Sequence, residues 1–153
     1  MLNTAYSPWP SFTEEEANAV QEVLLSNQVN AWTGEQCELF EKEFAAWVGV
    51  KHAVAVMNGT VALELALKGL GVGPGDEVIV TSRSFMASAS CIVAVGATPV
   101  FADVDLDSQN ITAETVSQVI TPKTKAIICV HLAGWPCEMD EIMALAKEHD
   151  LFE

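Results

Sequence analysis

Basic residues are scarce in this sequence. The 153-residue chain has 7 Lys and Arg against 21 Asp and Glu, a formal net charge of −14, and Arg83 is its single arginine. Proteins that bind nucleic acids or anionic membrane surfaces do so through clustered Lys and Arg. The composition therefore argues against both kinds of partner, and the acidic excess is typical of a solvated surface that aids solubility.

Other familiar patterns are absent as well. The four cysteines (Cys37, Cys91, Cys129 and Cys137) form no C-x-x-C pair, which disfavours a zinc or thioredoxin-like site. No apolar run reaches the ~20 residues of a membrane span. Residues 1–10 lack the basic start and apolar stretch of a signal peptide. We expect a cytoplasmic protein with reduced thiols.

The sequence does contain a regular alternation of helical and strand patterns. Apolar spacing predicts helices over residues 12–26, 36–48, 61–70, 84–95, 112–120 and 138–149. Short Val- and Ile-rich runs predict strands over residues 53–57, 77–81, 98–104 and 125–131. Because these strands read as continuous apolar runs, we expect them to be buried on both faces. The pattern predicts one α/β domain with a mostly parallel sheet and helices on both faces.

Local signals predict the start of the first helix and the end of the second. Thr13 followed by Glu16 is a capping box, which favours a helix start at residue 13. Gly49 is in the usual position to end the second helix. The segment between these helices, which includes Thr33 and Gly34, is favoured as a surface turn by spacing alone.

Ligands in open α/β sheets bind beyond the carboxyl ends of the strands. The first such end carries Asn58-Gly59-Thr60 directly before a helix. Glycine allows close approach of the backbone to a ligand, and a helix start offers free N–H groups and a positive dipole end that suit a phosphate. An ordinary turn capped by Asn58 or Thr60 explains the same residues, so both interpretations stay open.

Three further strand ends carry side chains of interest. Phe85 could stack on a flat ring, although a core phenylalanine is favoured without further information. His131 could bind a ligand or move a proton, and a hydrogen bond to the backbone is at least as compatible with its position. The close aspartates Asp103, Asp105 and Asp107 lack calcium-loop spacing and are interpreted as a solvated acidic loop.

Taken in order, these segments resemble the DegT/StrS-type sugar aminotransferases, which have the aspartate-aminotransferase-like fold. The resemblance runs over nearly all of the chain. It is carried mainly by residues 32–34 (WTG), 52–60 (HAVAVMNGT), 71–80 (GVGPGDEVIV), 96–105 (GATPVFADVD) and 130–134 (VHLAG). It implies a three-layer α/β fold, the large domain of a pyridoxal-phosphate (PLP) dependent transferase of fold type I, of which residues 1–153 are the N-terminal part.

The resemblance also implies roles for individual residues. Asn58, Gly59 and Thr60 match the turn that holds the PLP phosphate, and Phe85 matches the aromatic residue that stacks on the PLP ring. Thr33 and Gly34 match a loop on the substrate side of the pocket, and His131 matches a position common in the family. No metal is implied.

The implied reaction transfers an amino group, typically from glutamate, to a keto sugar linked to a nucleotide, in a cytoplasmic homodimer. A cyclitol of the inosose type is a second possible substrate. None of the chain's six lysines matches the position that forms a Schiff base with PLP, which is expected beyond residue 153. This sequence is therefore expected to be inactive alone. A PLP-dependent sugar dehydratase and a non-catalytic regulatory or binding protein of the same fold are the alternatives.

Overall fold

A computed structural model describes residues 9–153 and divides the chain into two compact units. The first is Met1–Ala55 and the second is Val56–Glu153. Within the described range, no helix combines the length and apolar character that a membrane span requires. That residues 1–153 belong to a single large domain stays a prediction, and each unit is described by itself.

The first unit contains two helices, α1 (Glu14–Ser26) and α2 (Gln36–Val48). The predicted capping box is confirmed, because Thr13 Oγ1 accepts a hydrogen bond from Glu16 N at 3.3 Å and Thr13 N donates to Glu16 Oε2 at 2.7 Å. Gly49 ends α2 with a left-handed backbone, φ 80°. Both helices lie where the sequence placed them, with α1 starting two residues later than predicted.

The predicted strand over residues 53–57 is wrong. This segment forms no strand, and the side chains of Val54 and Met57 are 70% and 85% exposed. A strand needs a hydrogen-bonded neighbour, and no strand among the described residues pairs with this segment. Its apolar composition alone suggested a buried strand.

The second unit alternates helices and strands as predicted. Its elements are α3 (Gly59–Gly69), β1 (Glu77–Thr81), α4 (Ala87–Ala94), β2 (Thr98–Ala102), α5 (Ala113–Ser117), β3 (Thr124–Ile128) and α6 (Met139–Glu148). The strands form a parallel sheet in the order β2-β1-β3, and Phe152 adds an isolated parallel bridge to Ala126. The strand β1 has its predicted bounds, whereas β2 and β3 end two and three residues earlier than predicted. The helix α3 begins two residues earlier than predicted, α4 begins three residues later, and α5 ends three residues earlier.

Alternate side chains of β1 face different helices. Val78 and Val80 pack in one apolar cluster with Leu67 of α3 and Ile92 of α4. Ile79 packs in a second cluster with α5 and α6 side chains, among them Val116 and Ile142. All three β1 side chains are fully buried. The sheet of this unit therefore has helices on both faces, which confirms the predicted three-layer α/β class.

The parallel arrangement brings the carboxyl ends of the three strands to one edge of the sheet. The helix α4 follows β1 and begins at that edge. The helix α3 precedes β1 and begins beside the start of α4, because residues of both helix starts line one cleft.

Candidate functional site

The cleft at this edge has a volume of about 660 Å³. It is built from the start of α3 and from the segment that leads into α4. Its lining residues are Asn58, Gly59, Thr60, Ala62, Leu63, Phe85, Ala87 and Ser88. The structure thus brings together the turn and the aromatic residue that the sequence singled out separately.

The start of α3 leaves two backbone donors without an acceptor. Asn58 caps the helix, and its Oδ1 accepts a hydrogen bond from Val61 N at 3.0 Å. Within the described second unit, no group accepts a hydrogen bond from the N–H of Gly59 or Thr60. These are the donors that a helix start leaves free. A Cβ built on Gly59 would meet no atom within 4 Å, so the protein itself does not fill the space beside this turn.

The electrostatics of the cleft suit an anion. The chain carries a formal charge of −14, yet none of the residues that line the cleft is charged. The first turn of α3 also contains no acidic residue. The positive end of the helix dipole is therefore not neutralised locally, and it favours a negatively charged group at this position.

Phe85 lies two residues before α4 rather than opening it, and its side chain is 77% exposed. The interpretation of Phe85 as a core residue is thus wrong. Its ring is available at the wall of the cleft. Two neighbours, Ala87 and Ser88, line the cleft with it and were not predicted from the sequence. Ser84 and Ser88 flank Phe85 four residues apart, and this spacing could have indicated Ser88 from the sequence.

His131 follows β3 and is not among the residues that line the cleft. Its Nδ1 accepts a hydrogen bond from Cys137 N at 3.1 Å, so the backbone contact considered for this residue is present. Asn110, 2% exposed, holds the same loop: its Nδ2 donates to Trp135 O at 2.9 Å and its Oδ1 accepts from Leu132 N at 3.2 Å. Asn110 is a third residue at this edge whose role was not predicted from the sequence.

Thr33 and Gly34 lie in the first unit, in the loop between α1 and α2. Thr33 Oγ1 donates a hydrogen bond to Asn30 Oδ1 at 3.3 Å. A Cβ on Gly34 would lie 2.3 Å from the carbonyl oxygen of Gln28. The nearby carbonyl oxygen therefore explains why position 34 is a glycine. A role of Thr33 or Gly34 in substrate binding stays a prediction.

The acidic loop after β2 uses its own carboxylate to fix the backbone. Asp105 Oδ1 accepts hydrogen bonds from Asp107 N at 3.1 Å and from Ser108 N at 2.8 Å. The hydrogen bonds from Ser108 are the main cause that lowers the pKa of Asp105 below its ordinary value. Over residues 9–153, no three His, Cys, Asp or Glu side chains cluster as a metal site would require.

A three-layer α/β unit with an open cleft at the carboxyl edge of its sheet is the architecture of the large class of open-sheet α/β proteins, whose ligands bind at that edge. Within that class, residues 10–152 match the model of the DegT/DnrJ/EryC1/StrS aminotransferase family. The chain belongs to this family.

Two curated relatives illustrate the similarity. The chain is 48% identical over 143 residues to the spore coat polysaccharide biosynthesis protein SpsC of Bacillus subtilis, covering 94% of this chain and 36% of that protein. It is 46% identical over 143 residues to the GDP-perosamine synthase of Escherichia coli O157:H7, covering 94% of this chain and 39% of that protein. The chain thus spans between a third and two fifths of the length of these relatives.

Solved structures agree with this result. The chain superimposes on an aminotransferase from Psychrobacter cryohalolentis with a TM-score of 0.92 and 62% identity, covering 96% of this chain and 37% of that one. It superimposes on the PLP-form of Spr1654 from Streptococcus pneumoniae with a TM-score of 0.84 and 38% identity, covering 99% of this chain and 38% of that one. The chain has the fold of the corresponding part of these proteins.

Proposed function

We propose that this chain supplies the phosphate- and ring-binding part of a PLP-dependent aminotransferase that acts on a keto sugar nucleotide, with glutamate as the amino donor. The observation that carries the proposal is the cleft in which Asn58, Gly59 and Thr60 lie together with Phe85. Membership of the aminotransferase family and the PLP-form of a solved neighbour support it.

The residues present fit the cofactor. The free N–H groups of Gly59 and Thr60 and the Thr60 hydroxyl are donors for phosphate oxygens, and the open space beside Gly59 admits the group. The exposed side chain of Phe85 would stack on the ring of the cofactor. When bound, PLP supplies an electron-withdrawing ring that stabilises negative charge on a substrate carbon.

The names of the two relatives support the substrate class, because one is a GDP-perosamine synthase and the other serves polysaccharide biosynthesis. Thr33, Gly34 and His131 are proposed to face the sugar substrate. A homodimeric state and a cytoplasmic location belong to the same proposal.

Cofactor binding is tested by titrating the chain with pyridoxamine phosphate. This probe has no aldehyde, so surface lysines cannot capture it covalently. We expect the amide resonances of Gly59 and Thr60 to shift, and Thr60→Val to weaken binding about tenfold or more through the loss of a hydrogen bond to a charged group. Thr98→Val, an exposed change at the opposite end of the sheet, is the matched control. Shifts confined to other regions of the chain, or no binding, would contradict the proposal.

The chain alone is proposed not to transaminate. No lysine is among the residues that line the cleft, and a lysine is the group that links PLP to such enzymes. Incubation with PLP, glutamate and a keto sugar nucleotide is expected to yield no aminated product by mass spectrometry. Formation of that product would refute this part of the proposal.

A further inference from the structure

Phe85 has little packing that could fix its ring. Its side chain is 77% exposed, and it lies outside both apolar clusters of the second unit. Stacking on a ligand ring requires a defined position and tilt of the aromatic side chain. The position of Phe85 must therefore come from the backbone that carries it.

Ser88 holds that backbone on both sides of Phe85. Its N–H donates a hydrogen bond to Phe85 O at 3.0 Å. Its Oγ lies 2.6 Å from Ser84 Oγ, and either hydroxyl can donate. Ser88 itself is only 8% exposed and lies in the wall of the cleft. A buried serine thus ties the residue before Phe85 to the first turn of α4.

No side chain caps the start of α4: Met86 occupies the cap position without a side-chain hydrogen bond. The Ser84–Ser88 contact is thus the side-chain bond that connects the approach segment to this helix. Without it, the residues from Ser84 to Met86 keep their backbone bonds to α4 but lose one constraint on their orientation. Loss of this constraint would change the orientation of the exposed Phe85 ring.

We infer that Ser88, through its hydrogen bond with Ser84, is a positioning residue that orients Phe85 for stacking on the ring of the bound cofactor. This inference rests on the proposed function. It assigns Ser88 to ring binding rather than to phosphate binding, which belongs to the start of α3.

The test uses three probes on the full chain: pyridoxamine phosphate, pyridoxamine and inorganic phosphate. Dissociation constants are measured by calorimetry for the unsubstituted chain, Ser88→Ala, Ser84→Ala and the double variant. Ser90→Ala, an exposed serine of the same helix, is the control. Because Ser84 is exposed, its substitution removes the bond without disturbing the core, and it keeps the test valid if Ser88→Ala fails to fold.

Either single substitution is expected to raise the dissociation constants of the two ring-containing probes by roughly 2- to 10-fold, the range for one aromatic stacking contact. Affinity for inorganic phosphate should change less than about twofold, within the variation of an uncoupled site. The double variant should lose no more than each single variant, since both act through one bond. In a Phe85→Trp background, the same substitutions should reduce the quenching of indole emission by pyridoxamine phosphate.

Equal weakening of all three probes would overturn the positioning role, as would unchanged affinities in both serine variants. Additive losses in the double variant would overturn the claim that one hydrogen bond carries the effect. Failure of the unsubstituted chain to bind pyridoxamine phosphate would instead overturn the proposed function, and the inference would fall with it.

Discussion

Two glycines of this chain lie in different surroundings. Gly59 faces open space beside the cleft, where a Cβ would meet no atom of the protein. Gly34 faces the carbonyl oxygen of Gln28, which a Cβ would approach to 2.3 Å. At Gly34 the small size matters for the fold of the loop. The same residue type thus faces open space at one position and nearby backbone at the other.

Gly34→Ala is expected to destabilise the loop between α1 and α2. Backbone cannot yield as a flexible side chain can, and inserting a methyl group into a filled space costs typically ~1–3 kcal/mol. Gly69→Ala is the matched control, because a Cβ there meets nothing within 4 Å and the residue lies in a helix. Amide hydrogen exchange of residues 28–35 measures the effect. Equal protection in the two variants would contradict the steric argument.

The cysteines should differ in reactivity. Cys37 is exposed, whereas Cys91 and Cys137 are buried and Cys129 is half-buried. Burial is the main cause that raises the pKa of Cys129 to about 11, with smaller contributions from Cys137 and Glu153. The thiolate is the reactive form. At pH 8, iodoacetamide should therefore modify Cys37 first and Cys129 slowly.

Peptide mass spectrometry of timed samples gives the order of modification, and a Cys37→Ser variant confirms the assignment. Because the neutral thiol of Cys129 is favoured in the folded chain, its contribution to stability is present below pH 9 and decreases as the pH rises towards 11. Rapid labelling of Cys129 in the folded chain at pH 8 would show that its environment is more open than described.

At the scale of single elements, the helix α1 depends on its cap more than on packing. None of its residues is buried, so tertiary contacts contribute little to its stability. Its start has the reciprocal hydrogen bonds of Thr13 and Glu16. These same bonds lower the pKa of Glu16 below its ordinary value of 4.5, the backbone bond to Thr13 being the largest cause.

Thr13→Ala should destabilise α1 by about 1 kcal/mol, the usual effect of losing a helix cap. The contribution of Glu16 is fully present above pH 4.5 and should be lost as the pH falls through its lowered pKa. Circular dichroism and amide exchange of residues 14–18, between pH 7 and pH 3, measure both effects. Ser11→Ala is the control, since Ser11 precedes the cap. A pH profile identical in Thr13→Ala and the unsubstituted chain would count against the capping box.

At the scale of the whole molecule, much apolar surface remains exposed. On α2 the rings of Phe40, Phe44 and Trp47 lie in a row, with neighbouring centroids 5.8 Å apart, and Trp47 is 82% exposed. In the second unit, β2 is an edge strand of the sheet. Exposed apolar rows and open sheet edges both promote association.

The chain alone should therefore self-associate in a concentration-dependent manner. Light scattering coupled to size exclusion measures the mass between low and high micromolar concentration. Trp47→Gln should reduce association more than Leu106→Gln, which removes an equally exposed but isolated apolar side chain. A monomer with a sharp thermal transition at all concentrations would contradict this expectation.

The sequence by itself determined the features that depend on neighbours along the chain. The capping box at Thr13, the end of α2 at Gly49 and the bounds of β1 follow from local patterns. A capping box spans only four residues, and a buried central strand reads as an unbroken apolar run. A phosphate-binding role for the turn at residues 58–60 could be proposed on the same ground, because the start of a helix always leaves free N–H groups.

Only the tertiary structure decided which segments meet. Residues 53–57 are as apolar as a strand, yet the described chain provides no partner for them. Contacts across the fold bring Phe85 to the turn at Gly59 and let Asn110 anchor the loop of His131. The hydroxyl pair of Ser84 and Ser88 depends on the rotamers of both side chains. Local pattern encodes an element and its ends, whereas strand pairing and side-chain hydrogen bonds depend on what the rest of the chain brings alongside.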